Sequence, residues 1–237
     1  HTGNVNDSIL EQLLMIDAAK RSSAQTVTAV IPFLGYARQD RKSSGREPIA
    51  ARLVVNLLAQ AGADRIMSVD LHSGQTQGFF NGPFDHLIAS PILRKYIQKM
   101  PKKNLVIVSP DAGRVKMAER YASFLNCDIA IIHKQRSTSK HNSVEAKYLI
   151  GDVKGKTCVI VDDMIDTAGT LCAAADLLAQ NGAKRIIGVS THGVFSEPAL
   201  ERIEKSAFDE VVVTNTVPLF FNPKKTKIKV LSIAPLI

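Results

Sequence analysis

Cysteine, long apolar runs and aromatic residues are all scarce in this chain of 237 residues. Its three cysteines, Cys127, Cys158 and Cys172, form no C-x-x-C pair, which argues against redox and metal sites and favours small buried residues of a reducing compartment. No apolar run approaches the roughly 20 residues that cross a membrane, and no signal peptide opens the chain. We therefore expect a cytoplasmic protein with no membrane partner.

The chain is basic, with a formal net charge of +8. A basic surface can bind nucleic acid, but such proteins usually cluster their cations and interleave them with aromatic side chains. Here the cations are dense only at 38–46 and 224–229, and aromatic residues make up 5% of the chain. Small substrates rich in phosphate explain the charge equally well, so we expect no nucleic-acid partner.

Apolar runs of strand length alternate with helical patterns along the chain. This alternation predicts an α/β fold of mostly parallel sheets flanked by helices. The predicted strands are 27–31, 65–69, 105–109, 129–133, 157–161, 185–190 and 210–213, and the predicted helices are 7–19, 48–61, 90–99, 115–125, 167–180 and 198–205.

An internal repeat predicts two similar domains. Residues 57–72 align without gaps on residues 177–192, and ten of the sixteen pairs are identical. Convergence of two ordinary helix-strand units is the alternative, but an offset of 120 residues between good matches favours duplication. We predict domains at 1–88 and 89–237. The copies diverge at their ends, where Asp70-Leu71-His72 stands against Ser190-Thr191-His192.

The segment 158–170 joins an apolar strand to three acids, a turn of small residues and a helix start. The turn predicts a phosphate site, because the backbone N–H groups and hydroxyls at the start of a helix bind anions. The acids suit the hydroxyls of a ribose. An acidic helix start with a Thr cap is the alternative interpretation. The residues predicted to bind a phosphorylated ribose are Asp162, Asp163, Asp166, Thr167, Ala168, Gly169 and Thr170.

Three further segments follow predicted strands, where α/β sheets bind ligands. Residues 35–42 could hold a polyphosphate and an adenine, or form a solvated basic loop. Asp70 and His72 could hold a divalent metal or a phosphate, although a lone His is more often structural. Asp111 could reach a metal-bound water or a sugar hydroxyl, or simply cap a turn. Residues 133–136 lead into a stretch at 137–143 that we predict to be a mobile loop. The two cations Lys134 and Arg136 could close over a phosphorus, although an ordinary surface loop would look similar.

These stretches together resemble the ribose-phosphate diphosphokinase, or PRPP synthetase, family over nearly the whole chain, and the 158–170 segment also resembles the PRPP loop of type I phosphoribosyltransferases. The synthetase likeness implies two tandem phosphoribosyltransferase-like domains, with ATP on the first and ribose 5-phosphate on the second. It implies transfer of the β,γ-diphosphate of MgATP to the 1-hydroxyl of ribose 5-phosphate, giving PRPP and AMP. The residues it assigns are Lys134 and Arg136 for catalysis, Arg136 also for ribose 5-phosphate, Arg38, Gln39, Asp40, Arg41 and His72 for ATP, and His72, Asp111 and Asp70 for Mg2+.

The resemblance also implies a homohexamer, with phosphate and ADP as effectors. Measured against the family, the chain is expected to be trimmed at its N-terminus; Asn81 stands where an acid is common, and Arg114 replaces a second Gly after Gly113. Two alternatives stay open, a non-catalytic regulatory homologue that keeps the fold and a type I phosphoribosyltransferase that consumes PRPP.

Overall fold

The computed structural model describes residues 1–135 and 146–237, together with all side chains in these ranges except those of 134, 135, 146 and 147. The chain forms two compact units. The first consists of 1–89, 216–218 and 236–237, and the second of 90–215 and 219–235. The functional division at 1–88 and 89–237 stays a prediction. Within the described ranges, no helix combines the length and the apolar character needed to cross a bilayer.

The first unit contains a small parallel sheet with two long helices. Its strands are β1 (Thr28–Ile31), β2 (Arg65–Val69) and β3 (Phe84–Leu87), in the order β1-β2-β3. The helices are α1 (Val5–Arg21) and α2 (Ala50–Ala61). Helix α2 buries Ala51, Val54, Val55 and Leu58, which recur at the helical period. The last three of these form a core with strands β1 and β2.

Helix α1 begins two residues before its predicted start. The side chain of Asn4 accepts a hydrogen bond from the backbone N–H of Asn6, so Asn4 caps the helix. The helix also continues to Arg21, where Lys20 and Arg21 lie at its negative end.

The second unit is a seven-stranded sheet with helices on both faces. The strand order is β10-β9-β8-β7-β4-β5-β6, and every pair is parallel except β5 with β6. One core packs against α5 and α6, and the other against α3 and α4. The elements are α3 (Ser90–Ile97), β4 (Leu105–Ser109), α4 (Val115–Leu125), β5 (Asp128–Gln135), β6 (Ala146–Ile150), β7 (Thr157–Ile165), α5 (Gly169–Gln180), β8 (Arg185–Gly193), α6 (Ala199–Lys205), β9 (Glu210–Thr214) and β10 (Ile228–Leu231).

These two mostly parallel sheets confirm the predicted α/β fold class. Strands β2 and β4 and helix α4 have their predicted bounds. Strands β3, β6 and β10 were not predicted. All three lie at sheet edges, where a strand is buried by fewer neighbours and its sequence carries a weaker apolar pattern.

Candidate active site

The two acids of the predicted sugar site lie inside a strand. Strand β7 continues four residues past its predicted end and includes Asp162 and Asp163. The Asp163 N–H donates to Asp162 Oδ1 at 2.8 Å, and the Met164 N–H donates to Asp163 Oδ1 at 2.9 Å. The Asp163 side chain is only 4% exposed. Both carboxylates are therefore held close to the backbone at the carboxyl end of a central strand.

Arg114 contacts both of these acids. Its Nε lies 2.9 Å from Asp162 Oδ1, and its Nη2 donates to Asp163 Oδ1 at 2.7 Å. Burial raises the pKa of the Asp162 carboxyl, and the neighbouring Asp163 raises it further, whereas the Arg114 guanidinium opposes the rise. Arg114, for which the sequence offered no role, is thus the counter-charge of the acidic pair.

The predicted phosphate loop leads into helix α5. Ala168 precedes the helix in a left-handed conformation, with φ of 58°, and makes no side-chain capping bond. Thr167 and Thr170 are exposed, and within the described part of the chain neither hydroxyl has a hydrogen-bond partner. The alternative of a Thr cap is therefore not what the structure shows. An uncapped helix start with two exposed hydroxyls has the donors that a phosphate group requires.

Arg202, on α6, lies against the other side of this loop. Its Nη1 donates to the Thr167 carbonyl at 2.9 Å, and a Cβ added at Gly169 would lie 3.3 Å from the same nitrogen. A side chain at Gly169 would therefore crowd the guanidinium. Sequence reasoning missed Arg202, because a single Arg at an exposed helix position 35 residues from Thr167 carries no local signal.

Asp111 caps the turn that follows β4. Its Oδ1 accepts a hydrogen bond from the Arg114 N–H at 3.1 Å, and the Ser109 hydroxyl donates to its carbonyl at 2.7 Å. The capping alternative is thus observed. It does not test the predicted metal role, which stays a prediction.

In the first unit, the chain leaves the sheet at Asp70, which has φ of 39°. Asp70 Oδ2 accepts a hydrogen bond from the Ala89 N–H at 3.1 Å, and the Leu71 N–H donates to His86 Nε2 at 2.9 Å. Burial lowers the pKa of His86, and Asp70 opposes this shift. His72 follows, partly exposed. His86, which the sequence did not single out, therefore fixes the backbone between the two predicted metal ligands of this unit.

The predicted ATP segment is a turn after β1. Arg38, Gln39 and Arg41 are exposed, and Asp40 Oδ2 accepts a hydrogen bond from Gln75 Nε2 at 3.5 Å. The Gln39 N–H donates to the Tyr36 carbonyl at 2.9 Å. Gln39 and Tyr36 also line an apolar cavity of about 460 Å³ between α1 and α2. Asn81, which differs from the family pattern, is exposed. The nearby Asp85 forms an ion pair with Arg65 at 3.1 Å.

The side chains of the two predicted catalytic cations lie outside the described part of the structure. The backbone of Lys134 pairs with that of Lys147 near the end of β5, but its side chain lies outside the described part of the structure. Arg136 and the predicted mobile loop at 137–143 also lie outside it. Among the side chains that are described, no group of three or more His, Cys, Asp or Glu is arranged to hold a metal ion.

Comparison with known proteins identifies what this site belongs to. Residues 1–62 match the model of the N-terminal domain of ribose phosphate pyrophosphokinase, and residues 146–237 match that of the phosphoribosyl synthetase-associated domain. A ribose-phosphate pyrophosphokinase of Streptomyces coelicolor is 53% identical over 238 residues, which cover 100% of this chain and 74% of that protein. This chain belongs to the ribose-phosphate pyrophosphokinase family.

Other relatives agree. The ribose-phosphate pyrophosphokinase of Mycobacterium leprae is 52% identical, over 98% of this chain and 72% of that protein. The crystal structure of phosphoribosylpyrophosphate synthetase from Mycobacterium smegmatis superimposes with a TM-score of 0.92 at 51% identity, covering 100% of this chain and 77% of that one. The predicted function and enzyme class, a ribose-phosphate pyrophosphokinase of nucleotide biosynthesis, are confirmed, and the type I phosphoribosyltransferase alternative is not supported.

Proposed function

We propose that this chain transfers the β,γ-diphosphate of ATP to ribose 5-phosphate through the residues assigned above. The observation that carries the assignment is the presence of a buried carboxylate, Asp163, and a partly buried one, Asp162, shortly before an uncapped helix start in the second unit. Acceptors for ribose hydroxyls and donors for a phosphate lie within one short segment, residues 162–170. The repeat supports the division of labour, because the equivalent residues of the first unit, 42–50, contain no acidic pair.

The chemistry needs positioning and neutralisation of charge. Asp162 and Asp163 would accept hydrogen bonds from the ribose hydroxyls, and residues 166–170 would bind the 5-phosphate. The 1-hydroxyl oxygen then attacks the β-phosphorus of ATP. The bond from that phosphorus to the oxygen shared with the α-phosphate breaks, AMP leaves, and the hydroxyl proton passes to solvent.

The first unit would hold the nucleotide. Arg38 and Arg41 place positive charge on an exposed turn beside Gln39 and Asp40, which suits a polyphosphate attached to a base. Lys134 and Arg136 would supply charge to the diphosphate as it is transferred. The proposed effectors, phosphate and ADP, and the proposed hexamer follow from the family alone.

The residues that we propose as Mg2+ ligands are Asp70 and His72 in the first unit and Asp111 in the second. The two carboxylates are the hard oxygen donors that this ion prefers, and Mg2+ at nucleotide sites is commonly bound by one or two carboxylates together with substrate phosphates. A protein cluster of three ligands is therefore not required. When bound, the ion would neutralise charge on the polyphosphate.

The test is formation of AMP from ATP, followed with and without ribose 5-phosphate and Mg2+. We expect AMP only when both are present. In Lys134→Ala we expect turnover to fall by orders of magnitude while the affinities for both substrates survive; an equal loss of affinity would contradict the catalytic assignment. A wild-type protein that binds both substrates and forms no AMP would favour the regulatory homologue.

A further inference from the structure

Arg114 clamps the acidic pair in one orientation. Its two contacts reach Oδ1 of Asp162 and Oδ1 of Asp163, the same atoms that accept the N–H groups of Asp163 and Met164. The Oδ2 atom of Asp162 takes part in none of these contacts. The Asp162 side chain is 19% exposed. Arg114 therefore fixes Oδ1 of Asp162 and does not engage Oδ2 of this partly exposed carboxylate.

The position of the guanidinium is itself fixed. The Arg114 N–H is bound by Asp111 Oδ1, so the turn after β4 holds the base of the side chain. The Arg114 side chain is 21% exposed. The backbone of Arg114 is therefore anchored by Asp111, and its guanidinium by two charge-assisted contacts with Asp162 and Asp163. Moving the guanidinium away from the acids would break both of these contacts.

Charge explains why the acids need this partner. Two adjacent carboxylates with little solvent repel each other, and burial favours a protonated form of one of them. A protonated carboxyl carries a donor where a ribose hydroxyl needs an acceptor. An ion pair with little solvent contributes little net stability. This one lies at the carboxyl end of a central parallel strand, where α/β sheets bind ligands. Binding of a ligand therefore explains the ion pair better than stability of the fold does.

We propose that Arg114 is a positioning residue for ribose 5-phosphate, which neutralises Asp162 and Asp163 and orients them to accept the ribose hydroxyls. The inference rests on the proposed sugar site at these two acids. Arg114 does not touch the sugar in this scheme. It acts through the carboxylates, so its loss changes the affinity for ribose 5-phosphate and not that for ATP.

The test compares Arg114→Ala and Arg114→Lys with Arg120→Ala, a control that removes the same charge from an exposed position of α4. In Arg114→Ala we expect KM for ribose 5-phosphate to rise about 10-fold or more, the usual scale for partners that orient a ligand-binding group. We expect KM for ATP to stay within about 2-fold. Arg114→Lys keeps the positive charge but lacks the two-pronged guanidinium, so its KM for ribose 5-phosphate should lie between those of wild type and Arg114→Ala. Added guanidinium at millimolar concentration should recover part of the loss in Arg114→Ala only.

Binding of ribose 5-phosphate by calorimetry provides a readout that does not depend on turnover. An unchanged KM and Kd for ribose 5-phosphate in Arg114→Ala would overturn the proposal, and so would a lower KM, which would mean that Arg114 competes with the sugar. A rise equal for both substrates would indicate a structural role and would also overturn it. If Arg114→Ala does not fold, unchanged ribose 5-phosphate affinity in a folded Arg114→Lys has the same meaning. An inactive wild type would instead contradict the proposed function.

Discussion

The two copies of the repeat have the same local structure up to the last three residues, where their strands end differently. Strands β2 and β8 both begin at an Arg-Ile pair after a helix and a Gly turn. The first copy leaves the sheet at Asp70 and presents a partly exposed His72. The second continues as a strand to Gly193, so His192 is buried and 1% exposed. A matched histidine is therefore a ligand candidate in one copy and part of the core in the other.

Strand length decides whether the matched histidine is exposed to a ligand or buried in the core. In the second copy, β7 supports β8 through a register that reaches Gly193. In the first, β2 pairs with strands of only four residues on both sides. Once neighbouring strands end, backbone groups must find other partners, and Asp70 and His86 supply them here.

The largest effect is expected at the acids that only the second unit contains. The double variant Asp162→Asn with Asp163→Asn should lower kcat/KM for ribose 5-phosphate by about 100-fold or more, since each hydrogen bond to a charged group contributes about 1.5–3 kcal/mol. Steady-state kinetics at saturating ATP measure it. Asp128→Asn, at an acid that is 70% exposed, is the control. If the double variant were as active as this control, ribose 5-phosphate would have to bind at a different site.

The paired histidines give the next effect. His72→Ala should reduce MgATP-dependent turnover about 10- to 100-fold, as loss of a metal-site group does, and leave thermal unfolding nearly unchanged. His192→Ala should destabilise the fold by about 1–3 kcal/mol, because it removes a fully buried polar side chain and its partners. Activity and thermal unfolding are measured on both variants. The comparison fails if His72→Ala is the less stable of the two.

The paired glycines differ less. Gly62 and Gly182 both have positive φ, 109° and 79°, so Ala is strained at both, by about 1 kcal/mol. A Cβ at Gly62 would lie 2.6 Å from Lys20 Cγ, against 3.4 Å from Lys154 Cγ at Gly182. Lys20 also pairs with Asp64. Gly62→Ala should therefore lower the melting temperature more than Gly182→Ala, and the reverse order would refute this account of the turn.

The smallest effect concerns pH. Burial lowers the pKa of His86 below its ordinary value, so the unfolded chain binds a proton more readily than the folded one. The stability from this group is complete above pH 6.5 and falls as the pH drops below it. Thermal unfolding between pH 8 and pH 5 measures the slope. In His86→Gln the slope over this range should be shallower, and an unchanged slope would assign it to other groups.

Much of the site was predictable because its signals are local. The segment 158–170 carries the strand, the acids and the helix start in thirteen consecutive residues, and the structure places them in that order. The end of β7 was not predictable. Asp162 and Asp163 are poor strand formers, and only pairing with β8 extends the strand through them.

The alternation of strands and helices, the duplication and the family follow from the amino-acid sequence alone, because periodic burial and short motifs involve neighbouring residues. Which charged side chains meet depends on the tertiary fold. Arg114 and Asp162 are 48 positions apart, and they meet because β4 and β7 are adjacent parallel strands. Hydrogen bonding between strands brings together residues from distant parts of the chain, and no local pattern records that neighbourhood.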